Sequence, residues 1–201
     1  MALNTTEAGS VNAQIADIER RTGVRISTTI VARCDAYVEL PWKAFALGAS
    51  LAAFAVVLCD IVVATWPSPW SALWHAIAIL GVGAASALAA VGIPAWARLF
   101  LRPSRRDVEV RQHAQALFLT RELFATPGRT GVLILVSRFE RKIEILPDVG
   151  LHDRIGAAEW RSVIARMTPA LRAGHPFHAL RDGLAAVDEL LSQKGFVAVP
   201  P

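Results

Sequence analysis

The sequence predicts an α/β fold in which a small mixed sheet, covered by helices, is interrupted by a two-helix transmembrane hairpin. Three observations support this prediction. Two apolar runs, at about residues 44–65 and 72–97, lie back to back in the middle of the 201-residue chain. Segments of strand length and composition lie on both sides of them, at about 24–31, 132–137 and 142–146. The polar parts of the chain show apolar residues at helical spacing.

The N-terminal part of the predicted split domain, residues 1–42, contains one helix and one strand. Apolar residues recur at i, i+4 and i+7 over residues 11–22, and Gly23 is typical of a helix C-cap. The next segment, 24–31, alternates and is rich in β-branched residues, which favours a strand. Alone this strand would have two unpaired edges, so it needs a partner from the other end of the chain.

Residues 43–98 predict the hairpin. As helices, its two apolar runs would be roughly 33 and 39 Å long at about 1.5 Å per residue, and a hydrocarbon core is about 30 Å thick. Because the linker between them is short, both chain ends lie on one side of the bilayer. Lys43 and an arginine cluster mark that side as cytoplasmic, so we expect two spans in the plasma (inner) membrane and a cytoplasmic domain. The cluster consists of Arg98, Arg102, Arg105 and Arg106.

Asp60 and His75 are ionisable residues inside the predicted spans, and a folded hairpin places them at similar depth. Ionisable residues within a membrane are candidates for function. The alternative, which we favour, is that water or the opposite side chain satisfies each of them near the outer interface.

Small residues recur at four-residue spacing in both spans, which allows helix backbones to approach closely. We expect them to pack within the hairpin, and self-association of chains through these helix faces is the alternative. These residues are Gly48, Ala52, Gly81, Ala85 and Ala89.

Residues 99–201 predict the second part of the same domain. A helix follows Asp107, and two strands and two further helices come after it. Within the strand at 132–137, residues 132–136 are a continuous apolar run, so this strand is expected to be buried on both faces. We expect it to pair in parallel with 24–31 through a crossover connection, and antiparallel with 142–146 as a hairpin.

Composition narrows the class of partner. The net charge is +4 and the pI is near 9.7, which a nucleic-acid-binding protein would also show. The arginine cluster directly follows an apolar span, however, and such a cluster is typical of a protein at a membrane surface, so we expect no nucleic-acid partner. We do not expect Cys34 and Cys59 to pair, because Cys59 lies within a span, and they predict neither a disulfide framework nor a zinc site.

Three strings after the hairpin resemble the core of the TPM domain family. They are residues 129–137, 140–145 and 148–151. Residues 18–26 are similar to the opening helix and strand of that family, and the resemblance covers about residues 12–40 and 107–194. It implies a small α/β sandwich, and it brings calcium binding and acid phosphatase activity, reported for some members, into consideration.

One candidate site lies where loops should converge at one end of the sheet. Arginine with histidine suits an anion such as phosphate, and a neighbouring carboxylate could orient the histidine. The alternative is a set of solvated loop charges. The residues of this candidate anion or ligand site are Arg129, Thr130, Asp148, His152 and Asp153.

A second polar patch is expected at the opposite end of the sheet, near the membrane. There an arginine–glutamate network contacting lipid headgroups or a partner protein is favoured over catalysis. The patch consists of Asp35, Tyr37, Ser137, Arg138, Glu140 and Arg141. A calcium site needs six to eight oxygen ligands, so we assign no metal ligand, and calcium is suggested by the resemblance alone. We also assign no catalytic residue and no cofactor.

The favoured function is a membrane-anchored, non-catalytic accessory or interaction module of a membrane complex. Its expected partners are the lipid bilayer and a membrane protein. The alternatives are a hydrolase of phosphate esters and a sensor of calcium or an anion. Whether the loops around Arg129, Asp148 and His152 enclose a pocket would help to separate these functions.

Overall fold

A computed structural model describes residues 5–63 and 68–198, so part of the predicted linker between the spans lies outside the described residues. The chain forms two compact units. The first, called the sheet unit, contains the residues up to Cys34 and those from Asp107 onward. The second, called the hairpin unit, is Asp35–Arg106.

Eight α-helices and three strands are found in the described parts of the chain. The helices are α1 (Thr5–Thr22), α2 (Glu39–Val63), α3 (Pro69–Gly92), α4 (Pro94–Leu99), α5 (Pro103–Thr120), α6 (Val149–His152), α7 (Ala157–Arg172) and α8 (Pro176–Gln193). The strands are β1 (Arg25–Val31), β2 (Gly131–Ser137) and β3 (Lys142–Pro147), and Pro127–Arg129 forms a 3₁₀ turn before β2.

The sheet has the order β1-β2-β3 and is mixed. β1 pairs in parallel with β2, from Arg25 opposite Gly131 to Val31 opposite Ser137. β2 pairs antiparallel with β3. All seven residues of β2 are buried. The fold class, the two pairings and the burial of the central strand are therefore confirmed.

Helices cover both faces of the sheet unit. Alternate residues of β2 point in opposite directions, so Val132, Ile134 and Val136 join one core with side chains of α1, α7 and α8. Leu133 and Leu135 join the other core, whose helical contribution includes Val110 and Ala114 of α5. A strand between two apolar layers must be apolar throughout, which explains the uninterrupted run in the sequence.

The hairpin unit contains two helices that are long and apolar enough to span a membrane, α2 and α3. Only 6% and 11% of the residues in their most apolar segments are buried, so neither resembles the core helix of a soluble protein. Large apolar side chains such as Phe54, Ile61, Leu80 and Leu88 are more than half exposed.

The two helices of the hairpin approach each other closely at Gly48 and Gly83. A Cβ atom at Gly48 would lie 2.8 Å from the Cβ of Ser86, and one at Gly83 would lie 2.8 Å from the ring of Phe45. A Cβ atom at Gly81 would meet no atom within 4 Å. The expected packing of small residues within the hairpin is therefore found at Gly48, but on α3 it is Gly83 rather than Gly81 that faces α2.

The second apolar run was expected to form one helix over about 72–97. It instead forms two helices, α3 and α4. α3 ends at Gly92, Ile93 is extended (φ −114°, ψ 99°), and Pro94 begins the separate short helix α4. The residue before a proline is restricted to extended conformations, and proline cannot donate a helical hydrogen bond. The chain therefore turns where hydropathy alone gives no signal.

Candidate functional site

The loop site is organised by an ion pair between Arg129 and Asp148. The guanidinium donates two hydrogen bonds to the carboxylate, from Nε to Oδ2 and from Nη2 to Oδ1, each 2.8 Å long. The side chain of Asp148 is 3% exposed and that of Arg129 is 52% exposed. The backbone N–H of Val149 also donates to Oδ1, at 2.8 Å, so the same carboxylate is the N-cap of α6.

The backbone around this pair has an unusual conformation. Arg129 has a φ of 55°, which is uncommon for a residue other than glycine. Gly150 lies directly against the loop, and a Cβ atom there would overlap the carbonyl oxygens of Gly128 and Arg129. Thr130 donates its backbone N–H to the side chain of Thr126 at 2.9 Å. The site is therefore a tightly packed loop in which the ion pair fixes the arginine.

His152 and Asp153 lie at the C-terminal end of α6 and are exposed. The hydrogen bonds from Arg129, followed by the one from Val149, lower the pKa of Asp148 below its usual value. Burial acts in the opposite direction, and the charge of His152 makes a smaller lowering contribution. The Asp148 carboxylate thus accepts its described hydrogen bonds from Arg129 and Val149, and His152 acts on it through charge.

Two cavities lined by described residues lie elsewhere. One, of about 200 Å³, is lined by α7 and α8 around the Arg166–Glu189 ion pair of 2.6 Å. The other, of about 590 Å³, lies in the hairpin unit where α3 meets α4. Among the described residues, no group of three or more His, Cys, Asp or Glu side chains is arranged to hold a metal ion.

The predicted membrane-near patch is divided between the two units. In the sheet unit, the buried Ser137 donates its hydroxyl to Oε2 of the buried Glu140. The backbone N–H of Cys34 donates to Oε1 of Glu140 at 2.9 Å. Arg138 and Arg141 are exposed, and Arg141 has a φ of 49° in the turn between β2 and β3.

Sequence reasoning missed the half-buried Cys34, which lies beside the buried pair of Ser137 and Glu140. Burial raises the pKa of its thiol to about 11, and a hydrogen bond with Ser137, the second-largest influence, acts in the other direction. The negative charges of Glu140 and Glu109 raise it further. A thiol with so high a pKa is a poor nucleophile at neutral pH. A signal was available, because Cys34 lies three residues after the end of β1, at the end of the sheet where Val31 pairs with Ser137.

The rest of the predicted patch lies in the hairpin unit. There Asp35 is 3.4 Å from Nη2 of Arg105, and Tyr37 has a φ of 49°. The hairpin unit also brings the predicted intramembrane pair together, since Nδ1 of His75 is 3.6 Å from Oδ2 of Asp60. The two side chains are 37% and 46% exposed.

Comparison with known proteins connects this chain to one family. A family model described as the TPM domain matches residues 101–190. The resemblance seen in the sequence is confirmed over that range, whereas its N-terminal part at about 12–40 lies outside it. The solved structure of the BA42 protein from the psychrophilic bacterium Bizionia argentinensis has a similar fold. The TM-score is 0.55 at 14% identity, over 98% of this chain and 86% of that chain, so this likeness shows the fold alone. No curated protein matches the chain.

Proposed function

We propose, because residues 101–190 belong to the TPM domain family, that this protein is a membrane-anchored TPM-domain module. It acts by binding a membrane-protein partner rather than by catalysis. The hairpin unit holds the chain in the bilayer, and the sheet unit presents the binding surface to the partner.

The observation that carries the proposal is that Arg129 and Asp148 are paired with each other. A phosphate-ester hydrolase needs a cation that is available to the phosphate and a carboxylate or histidine positioned for proton transfer. Here the cation is bonded twice by a buried carboxylate, and that carboxylate also caps α6. The polar groups of the loop therefore support its conformation, as expected of a rigid recognition surface.

Placement in the plasma (inner) membrane, with the sheet unit in the cytoplasm, is the second part of the proposal. Two long helices with mostly exposed apolar side chains are stable only in an apolar medium. Basic residues gather at one end of this hairpin, and the positive-inside rule assigns that end to the cytoplasm. They are Lys43, Arg98, Arg102, Arg105 and Arg106.

The test of the non-catalytic role combines an activity assay with the recovery of a complex. The purified full-length chain in detergent is incubated with p-nitrophenyl phosphate, with and without Ca²⁺ or Mg²⁺. We expect no turnover that depends on Arg129 or His152. Turnover that is lost in Arg129→Gln and His152→Ala, but kept in the surface control Arg161→Gln, would establish a phosphatase and contradict the proposal.

The partner is sought by crosslinking in native membranes, followed by native electrophoresis and mass spectrometry. We expect a complex in which the chain and a second membrane protein occur in fixed stoichiometry, and in which a tag on either one recovers the other. Migration as the chain alone, or as copies of it only, would contradict the binding role.

The orientation is tested by cysteine labelling in a variant in which Cys34 and Cys59 are replaced by serine. We expect Ser68→Cys to react with a membrane-impermeant maleimide in intact cells and Ser192→Cys to react only after lysis. The opposite pattern would show that the sheet unit lies outside the cytoplasm.

A further inference from the structure

The turn from α3 into α4 creates an open groove on the hairpin unit. Pro94 ends the apolar run of α3, and α4 then leaves in a new direction. The ring of Trp96 is held in this turn by an edge-on contact with Phe100, with centroids 5.6 Å apart. The groove has a volume of about 590 Å³ and is lined by Ser86, Ala89, Ile93, Ala95, Trp96 and Leu99.

The walls of the groove are apolar because their polar atoms are already bonded. The indole N–H of Trp96 donates to the carbonyl oxygen of Ser86 at 3.2 Å. The hydroxyl of Ser86 donates to the carbonyl oxygen of Ala44 on α2 at 2.8 Å. An occupant therefore meets alanine, isoleucine and leucine side chains and the face of an indole ring. The volume of the groove, about 590 Å³, is within the range of about 300–1,000 Å³ that ligand sites have.

Positive charge is concentrated at the same end of the hairpin unit. Arg102 is exposed and follows Leu99, a wall residue, by three positions. Lys43 is exposed and immediately precedes the residue that accepts the hydrogen bond of Ser86. The acidic residues at this end, Asp35 and Glu39, lie 3.4 and 3.8 Å from Arg105. The charge around the groove is therefore positive overall.

We propose that this groove binds one acyl chain of an anionic phospholipid, whose phosphate is attracted by Arg102 and Lys43. An apolar groove next to basic residues matches the two ends of such a lipid. Acyl chains are the medium that contacts the other exposed apolar side chains of a membrane hairpin. The inference rests on the membrane placement proposed above, and it adds a specific lipid as a ligand of the anchor.

The test uses native mass spectrometry of the full-length chain in detergent, titrated with phosphatidylglycerol or with phosphatidylcholine carrying the same acyl chains. We expect one bound phosphatidylglycerol and a clear preference for it over phosphatidylcholine. A basic residue near an anionic headgroup contributes about 1 kcal/mol, so Arg102→Gln should lower the affinity for phosphatidylglycerol about fivefold. Arg161→Gln, which removes an exposed arginine of α7, should leave it unchanged.

The apolar part of the site is tested by Ala89→Phe, which fills the groove. We expect this variant to lose the bound lipid, while Ala78→Phe, the same change at an exposed position of α3 that does not line the groove, keeps it. Equal retention of the two lipids by the natural chain, or full retention by Ala89→Phe, would overturn the inference.

The membrane anchor is measured separately, by resistance of the chain to alkaline extraction of membranes. A chain that resists extraction but retains no lipid contradicts the groove assignment and leaves the anchor intact. A chain that alkali removes from membranes contradicts the anchor and the groove assignment together.

Discussion

Replacing Asp148 by alanine should destabilise the sheet unit by about 2–3 kcal/mol. The substitution removes the N-cap of α6, which is typically worth about 1 kcal/mol. It also removes two charge-assisted hydrogen bonds from Arg129, which are 2.8 Å long on a carboxylate that is 3% exposed. Hydrogen bonds to charged groups contribute about 1.5–3 kcal/mol. Because half of the Arg129 side chain is already exposed, water replaces part of this loss.

The assay is thermal unfolding of the full-length chain in detergent, followed by tryptophan fluorescence. For a unit of this size, about 1 kcal/mol corresponds to a few degrees, so we expect Asp148→Ala to lower Tm by about 6–12 °C. Asp148→Asn keeps an oxygen that can accept from Val149 and should lower Tm by about half as much. Asp153→Ala, an exposed carboxylate in the same loop, should change Tm by less than about 2 °C.

The result that would refute this reasoning is a Tm of Asp148→Ala within the range of the Asp153→Ala control. The ion pair would then not fix the loop. Arg129 would be available to an anion, and the main support for a non-catalytic module would be lost.

Other predictions concern pH, the hairpin and the half-buried thiol of Cys34. The pKa of Asp148 is lowered in the folded chain, so the ionised carboxylate stabilises the fold fully above the unfolded pKa of about 3.9, and this stabilisation is lost as the pH falls through the folded pKa. The Tm difference between the natural chain and Asp148→Asn should therefore shrink between pH 6 and pH 3. A constant difference would contradict this. Gly48→Val should destabilise the hairpin by about 1–3 kcal/mol, because even a Cβ there would lie 2.8 Å from the facing helix, whereas Gly81→Val should not; helical circular dichroism on heating measures both. In a Cys59→Ala variant at pH 8, N-ethylmaleimide should modify Cys34 about a hundredfold more slowly in the folded chain than in urea. The reason is that the pKa of Cys34 is about 11 in the folded chain against an ordinary 9.0. Equal rates would show that the folded thiol is accessible and ionised.

The sheet could be predicted from the sequence because its signals are local and agree with each other. The apolar run of β2 requires cover on both faces, and the alternation in β3 requires one polar side. Together with the β-branched segment before the hairpin, they leave few topologies that obey the rules for parallel connections. Pro94 indicates the helix break between α3 and α4. The hydropathy of the run does not show this break, because an average over side chains does not record a missing backbone N–H.

The candidate loop site could be located but not described from the sequence. Convergence of the loops around Arg129 and Asp148 follows from the strand pairing. The strand pairing does not show which group binds the Asp148 carboxylate. That depends on the left-handed backbone of Arg129 and on the close approach of the two loops that Gly150 allows. Sequence reasoning assigned the carboxylate to His152, whereas the described contacts give it to Arg129 and Val149.

The position of the inserted hairpin explains why a three-stranded sheet tolerates it. A parallel pair such as β1 and β2 needs a long crossover connection in any case. Cys34, immediately before the inserted hairpin unit, donates its backbone N–H to Glu140, and Asp107, immediately after that unit, lies 3.0 Å from Nζ of Lys142. Glu140 and Lys142 are two residues apart at the turn between β2 and β3, so the chain leaves and rejoins the sheet unit at the same end. Because each doubling of loop length costs only about 0.6 kcal/mol, folding of the sheet unit puts little constraint on the sequence inserted there. That sequence can therefore form two helices long and apolar enough to span a membrane.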